Sequence, residues 1–252
     1  MNGCHGDTYS AAPHNGVLYS AGHPHVCEAI GDFPEQEPRF HQYSLATTTT
    51  ATGTNVGWDF NGQPSPQVLN WRPVFSVGTV SGAYQAGWSV AASGDYVLYG
   101  GEFPRVSNVP QQGLVRFAVP AVAPRKIGPN VNEALTPTVT SVTRGAVRVQ
   151  WKSTFDPDDG LLTYRVTRGD RPTVPVYETT VESAWWKRPA LGFIDRNVTP
   201  GTRYSYRVTA VDDDGNIATW STASAVASDA VLTPYAATVL ADSPRPPGRW
   251  PV

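Results

Sequence analysis

Residues 95–103 of the chain read DYVLYGGEF, and residues 112–117 read QGLVRF. The aromatic and β-branched residues of the first segment predict a strand that ends at a Gly-Gly corner, and the second segment predicts another strand after a short loop. An earlier segment, NGVLYSAGH at residues 15–23, resembles the first, because its Val-Leu-Tyr triplet at 17–19 matches the triplet at 97–99. The first half of the chain therefore contains an internal repeat.

Two further matches extend this repeat. YSAA at residues 9–12 matches WSVA at 88–91, and HQYSL at 41–45 matches VRFAV at 115–119. The second copy predicts four strands, near residues 69–77, 86–91, 96–100 and 114–118, which is the size of one four-stranded propeller blade. The first copy contains only the last three, so its first strand would precede Met1.

The GGEF corner followed by QQGLVRF resembles the repeat arrays of large secreted bacterial proteins, which are described as propeller-like. The resemblance covers about residues 5–119 and implies an incomplete β-propeller-like region over residues 1–119. Because a closed propeller typically needs at least four blades, three alternatives remain. The chain is a fragment of a longer array, or its sheets form an irregular sandwich, or partner chains complete the ring. The missing first strand favours a fragment.

Residues 120–134 predict a Pro-rich, semi-rigid linker. Beyond it, AVRVQW (146–151), LTYRV (162–166) and RYSYRVTA (203–210) alternate apolar with polar residues, as half-buried strands do. The whole chain is therefore predicted to be all-β.

Residues 135–230 resemble a fibronectin type III domain, an immunoglobulin-like β-sandwich. The resemblance rests on Trp151 as a core tryptophan, on Tyr164 as a second core aromatic, and on VTPGTRY at 198–204. It implies that Tyr204 is the corner tyrosine of the sandwich. Such a resemblance defines a fold and says little about function.

Residues 231–252 predict a tail outside this domain. Within it, YAATVLADSP at 235–244 resembles the lead-in to a laminin-G-like or concanavalin-like lectin module, but RPPGRWPV follows at 245–252. We expect a truncated third module, through a frame shift or a gene truncation. A disordered Pro-rich terminus is the alternative.

Charge and composition exclude several functions. The net charge is −2, and the longest basic run is Arg125-Lys126, so we expect no nucleic-acid partner. A membrane-spanning helix needs about 20 apolar residues in succession, and no apolar run in the chain is that long, which predicts no membrane span. Cys4 and Cys27 favour one disulfide, with two free thiols as the alternative. We expect an extracellular or cell-surface protein. The N-terminus lacks a signal-peptide pattern, so we expect the export signal to be missing from this chain.

Two aspartate-rich turns are candidates for a metal site. In the sandwich that the resemblance implies, they lie in loops at one end, where their carboxylates would supply oxygen ligands for Ca²⁺. The candidate ligands are Asp156, Asp158, Asp159, Asp212 and Asp214, with Asp213 beside them. Residues 212–216 also have the D-x-D-x-N start of an EF-hand loop, but Ala223 stands where that loop has its bidentate Glu. Ordinary turn formation is the alternative.

Exposed aromatic residues are the other functional candidates. Trp58, Trp185 and Trp186 are candidates for stacking on sugars, and we expect at least one ring of the Trp185-Trp186 pair to face outward. Core packing is the alternative.

Glu102 is expected to cap a turn rather than to act in catalysis. The tripeptide Arg168-Gly169-Asp170 matches an integrin motif and also occurs in ordinary turns.

No G-x-S-x-G, P-loop or G-x-G-x-x-G motif occurs in the sequence. We therefore expect that the chain is not an enzyme and has no catalytic residues. We also expect no cofactor other than Ca²⁺. We expect a non-catalytic extracellular scaffold or binding module of a modular bacterial protein, in contact with carbohydrate or another extracellular protein. The alternative is an accessory region of a secreted polysaccharide-degrading enzyme whose catalytic domain lies outside this chain.

Overall fold

A computed structural model describes residues 2–57, 59–119, 121–123 and 127–231 of the chain. Within them the fold is all-β, as predicted, and its helical segments are two short 3₁₀ turns, Glu28–Ile30 and Glu133–Leu135. Among these residues no helix is long and apolar enough to cross a membrane. Trp58 and the segment that resembles a lectin lead-in lie outside the described residues.

The repeat region, residues 2–119, contains two three-stranded antiparallel sheets and two short hairpins. Its strands are β1 (Thr8–His14), β2 (Val17–Gly22), β3 (Ser44–Thr48), β4 (Gly53–Thr54), β5 (Pro64–Ser65), β6 (Gly87–Ser93), β7 (Tyr96–Gly101), β8 (Arg105–Val106), β9 (Val109–Pro110) and β10 (Leu114–Ala118). The sheets run β1-β2-β3 and β6-β7-β10. They meet where β1 lies beside β6, and there the Val90 amide donates to Ser10 Oγ at 3.1 Å.

The two sheets repeat the same pairing, but the register differs from the sequence match. Thr8 pairs with Gly22 in the first sheet, and Gly87 pairs with Gly101 in the second, so Gly22 corresponds to Gly101. The match between the two Val-Leu-Tyr triplets would instead make Gly22 correspond to Glu102, and it is therefore wrong by one residue. A one-residue slip places each side chain on the opposite face of a strand, which identical letters alone cannot reveal.

The third strands are also displaced from the predicted match. Ser44 pairs with Ala21 of β2, and Leu114 pairs with Gly100, the counterpart of Ala21 in β7. Ser44, the first residue of β3, therefore corresponds to Leu114, the first residue of β10. The sequence match instead pairs residues 41–45 with 115–119. The loops before the two third strands differ in length, so similarity alone aligned them incorrectly.

The predicted first strand of the second copy, near residues 69–77, is wrong. Within this segment Phe75 forms only an isolated bridge with Val106. Pro73 has no amide to donate to a ladder, and the Arg72 amide donates to Pro157 of the second domain at 2.9 Å. Each copy therefore has three strands in the described residues, and these residues form no closed propeller.

The second domain, called the sandwich domain here, consists of two facing sheets. Its strands are β11 (Thr138–Thr143), β12 (Ala146–Lys152), β13 (Leu161–Arg168), β14 (Arg171–Glu182), β15 (Ala190–Asp195), β16 (Arg203–Val211), β17 (Ile217–Thr219) and β18 (Ala223–Val226). One sheet runs β11-β12-β15. The other runs β14-β13-β16-β17, and β18 also pairs with β16.

The core between these sheets is built from alternate residues of the central strands. Trp151, Tyr164 and Tyr206 belong to one buried cluster with Leu135 of the 3₁₀ turn. Trp151 is 5% exposed, and Tyr164 is fully buried, as expected from the resemblance. The alternation that predicted these strands is therefore the pattern that fills the core.

Candidate functional site at the junction of the two regions

The repeat region and the sandwich domain are in contact, and a cleft opens between them. We call it the junction cleft; its volume is about 380 Å³. Its lining residues are Phe40, Gln42, Asn70, Arg72, Val74, Phe155, Asp156, Pro157, Ala184 and Trp185. Aromatic rings from both regions therefore face one space. Clefts between domains are common places for ligand sites.

Arg72 is the central polar residue of this cleft. It is 6% exposed, and its Nη2 donates to both carboxylate oxygens of Asp32, at 2.9 and 2.8 Å. Its guanidinium carbon lies 4.3 Å from the ring centroid of Trp186. The arginine is thus held by an ion pair and by an aromatic ring from the other region.

Three buried donors at the cleft have no hydrogen-bond partner among the described residues: Arg72 Nε, Arg72 Nη1 and Asn70 Nδ2. An unsatisfied buried donor costs about 1–3 kcal/mol. Asn70 lines the cleft together with Arg72. These donor atoms are closed to solvent, so a ligand oxygen in the cleft reaches them only if the lining side chains move aside.

The strand alternation behind the expected outward-facing ring at Trp185-Trp186 is absent from the structure. Both residues lie in the loop between β14 and β15, where strand alternation does not apply, and both are half-buried. Their ring centroids lie 5.8 and 6.0 Å from that of Phe33 in the repeat region. Trp185 also contacts Phe40, with 4.9 Å between centroids, and lines the cleft. Both tryptophans therefore join the two regions.

The sequence gives no signal for Phe40, Asn70 or Arg72 as site residues. They lie in irregular segments, and only the packing of one region on the other brings them beside Trp185. A periodicity argument has no access to such a contact, because it concerns residues within one element.

The aspartate-rich loops lie at the same end of the sandwich domain, as expected. Carboxylate oxygens of Asp156, Asp159 and Asp212 lie within 4.8 Å of one another. Asp159 also forms a second such group with Asp213 and Asp214. Calcium binding itself stays a prediction.

Asp156 is the most buried acid of this set, at 2% exposure. Its Oδ1 accepts hydrogen bonds from the amides of Asp158 and Asp159, at 3.0 and 3.2 Å. Burial, together with the neighbouring Asp158 carboxyl, raises the pKa of Asp156 to about 8. Asp156 therefore keeps its proton at neutral pH, beside the carboxyl of Asp158.

The similarity of residues 212–216 to an EF-hand loop does not extend to the structure. Both carboxylate oxygens of Asp212 accept from Asn216, from its amide at 2.7 Å and its Nδ2 at 2.8 Å. Asn216 therefore closes the turn as a donor.

Glu102 caps a turn, as predicted. Its Oε2 accepts from the Ser81 amide at 2.9 Å, and its Oε1 accepts from Ser81 Oγ at 2.7 Å. These bonds lower the pKa of the Glu102 carboxyl. The adjacent Gly101 has a packing role, since a Cβ there would lie 1.9 Å from the carbonyl oxygen of Ala86.

The integrin-like tripeptide is not available for adhesion, because its arginine points inward. Arg168 is 5% exposed, and its guanidinium pairs with Asp170 at 2.7 Å and with buried Asp195 at 2.9 Å. Arg168 therefore fixes the strand ends of the sandwich domain.

Cys4 and Cys27 form a disulfide, which confirms the predicted pairing. Nearby, the rings of His23 and His25 each contact His41, with centroids 5.5 and 6.0 Å apart. Burial lowers the pKa of His41, and the two neighbouring histidines lower it further.

Residues 133–227 match the family model of the fibronectin type III domain. The corner tyrosine supports the same assignment, because the Thr199 amide donates to the Tyr204 hydroxyl at 3.0 Å. The chain therefore contains a fibronectin type III domain, a common non-catalytic module of modular proteins. No curated protein matches the chain.

Proposed function

We propose that this chain is a non-catalytic extracellular module that binds carbohydrate in the junction cleft. One observation supports this proposal above the others: unpartnered buried donors of Arg72 and Asn70 lie beside the aromatic rings of Phe40 and Trp185. Sugars present both hydroxyl oxygens and apolar C–H faces. A site that binds them therefore combines polar donors with aromatic surfaces.

The extracellular location rests on two features. The Cys4–Cys27 disulfide persists in oxidising compartments and is rare in the cytosol. The fibronectin type III domain at residues 133–227 is consistent with the same location.

A glycan array probed with the full chain tests the proposal, with extracellular proteins as a second panel. We expect binding to oligosaccharides or uronate-containing polysaccharides, because Arg72 can donate to a carboxylate. Hits confined to the protein panel would favour a protein-binding scaffold. Hits confined to plant or microbial polysaccharides would favour an accessory region of a polysaccharide-degrading enzyme.

Two matched phenylalanines locate the site. Phe40 lines the cleft and is 41% exposed, whereas Phe60 lies in a loop of the repeat region, does not line the cleft and is 38% exposed. By isothermal titration calorimetry, we expect Phe40→Ala to weaken oligosaccharide binding at least about tenfold, or about 1.4 kcal/mol, and Phe60→Ala to leave it unchanged. Equal losses in both variants would contradict the cleft as the site.

A further inference from the structure

Three segments converge at the end of the sandwich domain that faces the repeat region. The loop at residues 155–160 supplies Asp156, Asp158 and Asp159, and the loop between β16 and β17 supplies Asp212. We call these four residues the aspartate cluster. The Ile127 amide donates to Asp158 Oδ2 at 3.4 Å, so the segment that leads into the domain reaches the same point.

The spacing of these acids matches a cation with oxygen ligands. Ca²⁺ binds oxygens at about 2.3–2.6 Å, so ligands on opposite sides of one ion lie up to about 4.6–5.2 Å apart. The oxygens of Asp156, Asp159 and Asp212 lie within 4.8 Å of one another, which is inside that limit.

A second observation points to a ligand. Asp156 is 2% exposed, and its Oδ2 accepts from no N–H donor among the described residues, although its Oδ1 accepts from two. Asp158 Oδ1 is also buried without a partner there. Two buried acceptors on neighbouring acids are costly to leave unsatisfied, and a cation that replaces the carboxyl proton of Asp156 satisfies both at once.

We propose that the aspartate cluster binds one Ca²⁺ ion, which fixes the sandwich domain against the repeat region. The loop that holds three of the ligands also accepts the main-chain bond from Arg72, through Pro157. An ion bound there stiffens the wall of the junction cleft. Ca²⁺ suits the site better than Mg²⁺, because loop carboxylates provide irregular, multidentate coordination rather than an octahedron. This proposal does not depend on carbohydrate binding.

Thermal unfolding of the metal-free full chain, with and without 10 mM CaCl₂, tests the site, and calorimetric titration measures the stoichiometry. Extracellular calcium modules have dissociation constants of about 10⁻⁴–10⁻³ M, so we expect the melting temperature to rise by about 3–10 °C. We expect one ion per chain and a smaller shift with MgCl₂.

Asp156→Asn isolates the ligand role, because an amide oxygen still accepts from the amides of Asp158 and Asp159. This variant is expected to fold and to lose the Ca²⁺-dependent shift. Asp158→Asn provides a second test at a less buried position. Asp95→Asn, at an exposed hairpin acid, is the matched control and keeps the shift. A wild-type chain that shows no heat and no shift at 10 mM, a shift that survives in Asp156→Asn, or an equal effect of Mg²⁺ would overturn the proposal.

Discussion

Replacing Trp186 with alanine weakens the contact between the repeat region and the sandwich domain. The ring of Trp186 lies 4.3 Å from the guanidinium carbon of Arg72 and contacts Phe33 and Trp185, at centroid distances of 6.0 and 5.2 Å. Trp186 is half-buried, so its truncation is expected to cost less than the about 3–5 kcal/mol of a fully buried aromatic residue. A cation–π contact of about 1 kcal/mol and an aromatic pair of about 0.5–1.5 kcal/mol contribute to this loss. With the lost apolar burial added, we expect about 2–3 kcal/mol in total.

Urea unfolding of the full chain, followed by circular dichroism, measures this loss. With a slope of about 2–3 kcal/mol/M for a chain of this size, the midpoint should fall by about 1 M. Trp220→Ala is the matched control: Trp220 is 45% exposed, so its truncation should cost less than about 0.5 kcal/mol. An unchanged midpoint for Trp186→Ala, or an equal loss for Trp220→Ala, would refute the contact.

Three further predictions concern single interactions. Tyr204→Phe removes the corner bond to Thr199 and is expected to lower stability by about 0.5–1.5 kcal/mol in urea unfolding; no change would contradict a contribution of this bond. Cys27→Ser opens the loop closed with Cys4, whose sequence separation is 23, and should cost about 3 kcal/mol; wild-type stability in the variant would contradict this. The pKa of His41 is lowered in the folded chain, so the unfolded chain binds a proton at His41 more tightly. The stability that neutral His41 contributes is therefore present above about pH 6.5 and is lost as the pH falls below that value. His41→Gln should therefore reduce the loss of melting temperature between pH 7.5 and 5.5, and an equal loss in both proteins would contradict the assignment.

The fold of the sandwich domain could be predicted because its determinants are local. Alternation along β12, β13 and β16 identifies the side chains that face the core, and Tyr204 follows its turn at a fixed spacing. The shared position of the aspartate-rich loops is predictable once the sandwich fold is assigned, since the order of strands determines which loops are neighbours.

The repeat region could be predicted only in part. Similar letters identified two related hairpins, yet they gave a register one residue from the observed one at the Val-Leu-Tyr triplets. The segment at residues 69–77 has the apolar content of a strand, but Arg72 bonds to Pro157 instead. Long-range pairing decided both outcomes, and composition carries no information about such pairing.

The candidate site was the least predictable part. The sequence predicts Trp185 and Trp186 as candidates for stacking on sugars, but their contacts with Phe33, Phe40 and Arg72 depend on how one region lies on the other. The ion pair of Arg72 with Asp32 likewise joins residues from two distant irregular segments.

The indole N–H resonance of Trp185 tests most directly whether the junction cleft binds carbohydrate. This group is buried and has no hydrogen-bond partner among the described residues, and its ring lines the cleft, whereas Trp220 lies elsewhere on the surface. During titration with the best oligosaccharide from the array, ¹H–¹⁵N spectra should show a saturable shift at the Trp185 indole and none at Trp220. Binding that leaves the Trp185 resonance unchanged, or that shifts Trp220 instead, would contradict the proposed site.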